Sequence, residues 1–435
     1  GLPARQLAVH LIAAVLRRHR ALDDVLAETT SHPRWRDMPS RDRALARLIA
    51  GTVLRTHGRL AAVLQGFLGK PLPENQGNLW PLLLAGAAQL LVLGTPPHAA
   101  ISLAVDQVRT DPGARRFDKL VNAVLRRVAT EGPERFAALD AAAHDIPPWL
   151  LARWTATYGE DTARRIALAS LAEAPLDLTA KADAAVWAEK LGGELLPTGT
   201  IRLAAGGRID EMPGFAEGAW WVQDAAAALP ARLLGDVSGR DVADLCAAPG
   251  GKTAELAAAG ARVTAVELSA ERLSRLADNL RRLGLAADTV TADAATWEPG
   301  RVFDAVLVDA PCTATGTIRR HPDILYLKRS ADFAALPDIQ APILANAARL
   351  VRPGGRLVYC VCSLESDEGP RQIEAFLAAN PEFARLPVTA DEVGGLSELI
   401  DAAGDLRTLP FHMQRASPDL SGLDGFYAAR LVRAG

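Results

Sequence analysis

From Asp241 onward the chain alternates between two kinds of stretch. Short runs rich in apolar and β-branched residues, "DVADL", "ARVTAVEL", "DTVTAD", "VFDAVLVDA" and "GRLVYCV", are separated by stretches with helical spacing: "GKTAELAAAG", "SAERLSRLADNLRRLG", a helix within Pro337 to Val351, and "ESDEGPRQIEAFLAAN". Alternation of this sort makes a parallel sheet with helices on both faces. Ligands of such sheets bind beyond the carboxyl ends of the strands, where the strand order reverses. All four cysteines of the chain, Cys246, Cys312, Cys360 and Cys362, sit at or near those ends, as do the acids Asp244, Glu267, Asp293 and Asp309. The pattern predicts thiols and carboxylates gathered along one rim. One cysteine alone reads equally well as a small buried apolar residue; four in this arrangement do not.

Upstream the spacing changes. From Pro3 to Thr130 apolar residues recur at helical intervals, as in "RQLAVHLIAAVLRR", "RDRALARLIAGTVLR" and "FDKLVNAVLRRVA", with "GKPLPENQGN" and "GTPPH" as turns, which predicts an all-α domain over residues 1–135. The longest apolar run, Leu79 to Gly94, carries Gln89 and stops short of the roughly 20 residues a membrane span needs, so it reads as a buried helix. "HDIPPWLLARWTATYGEDTARRIALAS" reads as two more helices divided at Gly159. Then "LDLTA", "GTIRLA" and "GAWWVQ" surround the helical "ADAAVWAEKLG". These residues predict a small α+β segment within 145–235, followed by the α/β domain over 236–435.

Charge is unevenly shared. Residues 1–135 hold 19 Lys and Arg against 11 Asp and Glu, whereas the remainder holds 29 against 40. A basic helical module on an acidic body suits contact with a phosphate backbone, and a solvated arginine-rich helix surface would look the same. Four cysteines are too few for a disulfide framework, and no histidine lies at zinc-ligand spacing from them, so reduced thiols, a cytoplasmic location and no metal are expected. The opening apolar stretch runs into "RRHR" without a small-residue cleavage site, so neither secretion nor membrane association is expected.

The loop "CAAPGGKT" bears on which ligand the rim takes. A P-loop needs a glycine five residues before its Gly-Lys, and Cys246 stands there; the G-x-G-x-x-G fingerprint is absent too. What remains is a strand, a tight small-residue turn and a helix N-terminus that favours an anionic group such as a carboxylate. Glu267, about 20 residues on, can accept both hydrogen bonds of a ribose diol, and Asp293 can meet the polar edge of an adenine. A ligand with a carboxylate, a ribose and an adenine but no phosphate is S-adenosylmethionine.

"DLCAAPGGKT", "VELS", "TADA", "DAPCTATG" and "YCVCS" resemble, in order, the motifs of the RNA cytosine-5 methyltransferase family. "PPHAAISLAVDQ" and "FDKLVNAVLRR" resemble a NusB-type RNA-binding domain, while "WVQDAAAALPARLL" and "GLDGFYAARL" resemble flanking elements of the bacterial member that acts on small-subunit ribosomal RNA. The resemblance implies a NusB-like all-α N-terminal domain, a small α+β segment and a Rossmann-like methyltransferase domain. It implies that Cys246, Ala247, Ala248, Pro249, Gly250, Gly251 and Lys252 cradle the methionine part of S-adenosylmethionine, that Glu267 holds the ribose and Asp293 the adenine, and that Asp309 lies beside both cofactor and base. Cys362 would be the nucleophile and Cys312 the product-release thiol, with Lys252 favouring a thiolate. The substrate would be a single-stranded or loop cytosine of ribosomal RNA, since the base must leave its stack. The chain departs from the family pattern at Val361, where a threonine is usual, in the extra thiol Cys360, in "LDLTAK", and at Pro342, which should kink its helix or mark its first turn. Competing readings are a cytosine-5 methyltransferase acting on another RNA, one acting on DNA with Cys312 as nucleophile, an amino-group methyltransferase, and a non-catalytic RNA-binding assembly or antitermination factor.

Overall fold

The computed structural model describes residues 1–435. They form two compact units, residues 1–171 with 321–329, and residues 172–320 with 330–435.

In the first unit, helices Leu2–Arg18, Leu22–Thr29, Ser40–Arg55, His57–Phe67, Leu79–Leu91, Pro97–Thr110 and Asp118–Ala137 enclose one apolar core that includes Leu7, Leu11, Ile12, Ile49 and Leu54. The Leu79–Leu91 helix is buried as its composition requires. Its Gln89 is satisfied inside the core, donating to Ala85 O at 2.9 Å and accepting from Arg5 Nε at 2.7 Å. No helix of the chain is long and apolar enough to cross a membrane.

The helices Ala141–Asp145, Pro148–Tyr158 and Glu160–Ser170 belong to this unit, not to the middle segment in which the sequence reading begins at residue 145. The reason is a close approach. A Cβ on Gly58 would lie 1.7 Å from His144 O, and buried Asp145 accepts from Arg59 N at 2.9 Å and pairs with its side chain. The segment 321–329 also differs from its sequence reading, packing with the helical unit although its flanks lie in the second. Tyr326 donates its hydroxyl to Leu54 O at 2.7 Å with its ring edge-on to His57, Asp323 accepts from Leu22 N at 2.9 Å, and His321 lies 3.2 Å from Asp23.

The second unit holds two sheets. Strands β1 (Leu176–Ala180), β2 (Glu194–Leu195), β3 (Ile201–Leu203) and β4 (Trp220–Val222) form an antiparallel sheet in the order β2-β3-β1-β4. The large sheet runs β10-β12-β9-β8-β5-β6-β7, where β5 is Asp241–Leu245, β6 Arg262–Glu267, β7 Asp288–Thr291, β8 Phe303–Asp309, β9 Val351–Val361, β10 Phe383–Arg385 and β12 Phe426–Arg433; β11 (Leu406–Thr408) pairs with β12. Strands β5 to β9 are mutually parallel and β12 is antiparallel to β9. The chain enters at β5, moves outward through β6 and β7, then returns to β8 on the other side of β5. The reversal therefore falls between the carboxyl ends of β5 and β8.

Pro342 does not mark a first turn. Its helix runs from Ser330 to Leu350 with Pro337 and Pro342 both inside. Each proline removes one hydrogen bond from the helix, but tertiary packing compensates: Phe333, Ile343, Leu344 and Ala347 are buried, and Gln340 and Asn346 donate to Pro311 O and Ala294 O at 2.9 and 3.0 Å.

Candidate active site

The rim is built from successive strand ends of the large sheet. After β5 the chain turns sharply, with Cys246 at φ 63° and Gly250 at φ 103°, and Gly251 opens the helix Gly251–Ala258. A Cβ at Gly250 would lie 2.8 Å from Leu276 Cγ, so glycine is needed there for both its dihedral and its closeness to the neighbouring helix. Arg272 donates to Ala248 O at 2.6 Å and holds the turn from outside. Burial pushes the Cys246 thiol up to about 12, which makes it an inert part of the turn. Asp244, fully buried, accepts from Thr253 Oγ1 at 2.6 Å, and burial pushes its carboxyl up to about 7.

Glu267 ends β6 and accepts from Ala248 N at 3.3 Å, Ser269 N at 3.1 Å and Arg272 at 3.3 Å, leaving capacity on a carboxylate with about four acceptor sites. Asp293 follows β7, is exposed, and accepts from Ala295 N at 2.9 Å. A turn of small residues at a helix N-terminus and acids at the ends of the next two strands fit the carboxylate, ribose and adenine of S-adenosylmethionine.

Asp309, the last residue of β8, accepts from Lys252 Nζ at 2.8 Å and from Cys360 Sγ at 3.6 Å. Both its oxygens are therefore acceptors. Burial disfavours the Lys252 ammonium, but Asp309 outweighs it and holds the lysine above its ordinary range; the Phe426 ring, 4.9 Å away, adds a cation–π contact.

The two motif cysteines meet. Cys312 Sγ, after β8, lies 3.5 Å from Cys362 Sγ, one residue past β9, and both are partly exposed. The contact with Cys362, and then burial, raises the Cys312 thiol well above its ordinary range. Cys360 differs from both: it lies inside β9, is fully buried, and burial raises it likewise.

Sequence reasoning missed the group beneath the thiols. Glu368, 1% exposed, accepts from Thr313 N at 2.9 Å, Thr313 Oγ1 at 2.6 Å, Gln340 Nε2 at 3.3 Å and the Ser363 hydroxyl. Thr313 follows Cys312 and Ser363 follows Cys362. In sequence Glu368 is one acid of "ESDEGP", which reads as a solvated helix start.

In the helical unit, Arg18, Arg34, His10, Trp35 and Asn78 line a cavity of about 210 Å³. The Arg34 guanidinium covers the Trp35 ring at 4.5 Å. Burial first, and then Arg18, His32, Arg34 and Arg20, lowers His10, which marks a local excess of positive charge. By contrast Arg127 is paired with Glu131 at 3.1 Å and lies over Phe67.

A sheet of this order, with a glycine turn after its first strand and acids closing the next two, defines a Rossmann-like, S-adenosylmethionine-dependent methyltransferase. The sequence model of 16S rRNA methyltransferase RsmB/F matches residues 231–432, that of the NusB family matches residues 2–130, and the chain is 36% identical over 452 residues to ribosomal RNA small subunit methyltransferase B of Sodalis glossinidius, covering 99% of this chain and 97% of that one. The chain belongs to the RsmB/F family of ribosomal RNA methyltransferases. The Xylella fastidiosa (strain Temecula1) protein of the same description is 37% identical over 449 residues, covering 100% of this chain and 98% of its own. Among solved structures, PH0851 shares the fold with a TM-score of 0.76 over 99% of this chain and 98% of its own at 22% identity; NSun6 from Pyrococcus horikoshii with SFG has a TM-score of 0.56 over 66% and 98% at 17% identity.

Proposed function

We propose that the protein forms 5-methylcytosine in small-subunit ribosomal RNA, in the cytoplasm, through a covalent cysteine–C6 adduct, with Cys362 as nucleophile and Cys312 as the release thiol. The contact between two thiols delivered by separate strand ends carries this reading. C5 of cytosine is a poor nucleophile. The Cys362 thiol gives its proton to solvent, the thiolate sulfur bonds to C6, and the C5=C6 electron pair moves toward C5. S-adenosylmethionine, when bound, supplies an electrophilic methyl group to that carbon. The C5 proton must then leave, the double bond re-form and the S–C6 bond break, returning the thiolate. Cys312, 3.5 Å from the Cys362 sulfur, takes the C5 proton as a thiolate, having first given its own proton to solvent, and ends the step as a thiol. Lys252 and Asp309 present a fixed charge pair beside this chemistry. Cys360 is excluded as nucleophile by its burial and its bond to Asp309.

In this reading Cys246 to Lys252, Glu267, Asp293 and Asp309 bind the cofactor. The helical unit contacts the RNA backbone through the cavity bearing Arg18 and Arg34, where a guanidinium stacked on an aromatic ring offers a flat face to an unstacked base. The target base is a single-stranded or loop cytosine.

The experiment compares Cys312→Ala, Cys360→Ala and Cys362→Ala on one ribosomal RNA transcript with labelled methyl donor. Cys312→Ala should methylate once and remain as a denaturation-resistant protein–RNA complex. Cys362→Ala should form none and lose turnover while still binding RNA and cofactor. An adduct with Cys362→Ala and none with Cys312→Ala would move the nucleophile to the Pro-Cys motif and overturn the assignment.

A further inference from the structure

Two loops must meet for the two thiols to touch. Their own side chains join them at Thr313 Oγ1, 3.1 Å from Ser363 Oγ, and at Thr315 Oγ1, which accepts from Leu364 N at 3.0 Å and donates to Glu365 at 3.3 Å. The backbone supplies Gly316 N to Cys362 O at 3.0 Å and Ala310 N to Cys360 O at 3.0 Å, on either side of Cys312. Neither bond is made by Cys312 or by its immediate neighbours. The residue that reaches both loops next to the thiols is Glu368, which accepts two hydrogen bonds from Thr313 and one from Ser363. A third element joins it: Gln340, in the Ser330–Leu350 helix, donates to Glu368 at 3.3 Å and to Pro311 O at 2.9 Å, so the residues on both sides of Cys312 are fixed by one connected set of bonds. Tyr359, fully buried in β9, donates to Glu368 O at 2.7 Å and fixes the backbone of the carboxylate's own residue.

The asymmetry of these bonds matters. The Cys362 loop is also tied to β9 and, through Ser363 O, to Arg407 at 2.7 Å. Thr313 gives both its amide and its hydroxyl to Glu368, with the Ser363 hydroxyl at 3.1 Å as its further side-chain partner, so loss of the carboxylate frees the Cys312 side more than the Cys362 side. Buried acceptors that satisfy several donors at once are costly to remove, because every donor is then left unpaired.

We propose that Glu368 is a positioning residue for the two-thiol site: its buried carboxylate clamps the Cys312 loop onto the Cys362 loop and so sets the geometry of product release. The catalytic part of this proposal rests on the covalent reading above; the clamp itself does not.

The test has two arms on the full-length protein. In the first, without RNA or methyl donor, oxidised glutathione is added and the disulfide-linked peptides are identified by mass. Cys312 and Cys362 together lose two protons and two electrons to form one disulfide, while glutathione disulfide is reduced to two glutathione thiols. Glu368→Ala should slow this pairing by about ten-fold or more, the scale of a misplacement near 1 Å. Glu368→Gln, which keeps an acceptor oxygen and can donate to the freely rotating hydroxyls of Thr313 and Ser363, should recover most of the rate. Thr313→Val, which preserves shape and removes the hydroxyl's contacts with Glu368 and Ser363, should slow it by about two- to ten-fold and serves if Glu368→Ala does not fold. In the second arm, with transcript and methyl donor, Glu368→Ala should accumulate the protein–RNA adduct as Cys312→Ala does, with cofactor affinity unchanged and the adduct reduced in Glu368→Gln. Wild-type pairing rates in both Glu368→Ala and Thr313→Val, or no recovery in Glu368→Gln, would overturn the clamp. Slowed pairing without adduct accumulation would overturn the role in release while leaving the clamp in place.

Discussion

Replacing Asp309 by alanine leaves the Lys252 ammonium 9% exposed and without its carboxylate partner. Removing one member of a buried ion pair costs about 3–5 kcal/mol, because the remaining charge is uncompensated. The Phe426 ring at 4.9 Å retains part of the stabilisation, so the cost should fall near the lower end, about 3 kcal/mol. At roughly 2–4 °C per kcal/mol for a unit of this size, the catalytic unit should melt about 6–12 °C lower. The sign of the pH dependence follows. In the wild type the lysine is held above its ordinary value, so the contribution of the pair is complete below the unfolded lysine pKa and is lost only as pH rises through the still higher folded one. Without Asp309, burial is the largest influence left and lowers Lys252, with Cys360 and Cys362 acting against it. The penalty in Asp309→Ala should then shrink as pH rises and the lysine becomes neutral. Adding Lys252→Met to Asp309→Ala should restore stability, since no charge remains to be buried. Calorimetric melting of the two single variants and the double variant between pH 6 and 10 decides the matter. A loss under about 1 kcal/mol in Asp309→Ala, or a double variant less stable than that single one, would refute the buried-pair argument.

Three other outcomes are expected. Gly250→Ala places a side chain at φ 103° and against Leu276, and should destabilise the protein by about 1–3 kcal/mol while weakening cofactor binding, both read by calorimetry. Glu267→Ala and Asp293→Ala each remove a charged acceptor and should weaken S-adenosylmethionine binding about ten-fold or more in titration calorimetry; unchanged affinity in both would remove these acids from the cofactor site. Arg18→Ala with Arg34→Ala should flatten the plot of log RNA affinity against log salt by about 1.4, whereas Arg126→Glu with Arg127→Glu, where Arg127 is already paired with Glu131, should act less strongly on the slope.

The rim was legible because its residues follow short runs rich in apolar and β-branched residues, and the end of such a run fixes where a residue lies in a parallel sheet. Cys246, Glu267, Asp309 and Cys362 were located that way. Glu368 was not, because nothing local distinguishes its buried carboxylate from that of the half-exposed Asp367 beside it until Thr313, 55 residues away in sequence, donates to it. The true start of the Ser330–Leu350 helix was hidden by Pro337 and Pro342, whose local propensity is overridden by packing of Phe333 and Ile343. The helices after residue 140 read correctly as helices, but their allegiance depends on the contact of Gly58 with His144 O, which no periodicity encodes.

The segment 321–329 gives the molecule an unusual resistance to being cut. Because it belongs to the helical unit while the residues before and after it do not, the chain passes from one unit to the other at 171, at 320 and at 329. A protease that nicks the chain after Leu171 severs only the first of these passages. The piece beginning at Ala172 still carries Asp323 and Tyr326, with their bonds to Leu22 and Leu54 of the piece before it. Two separately expressed polypeptides divided at that bond should accordingly find each other and reassemble through the bonds of this segment, and deleting 321–329 should weaken that reassembly.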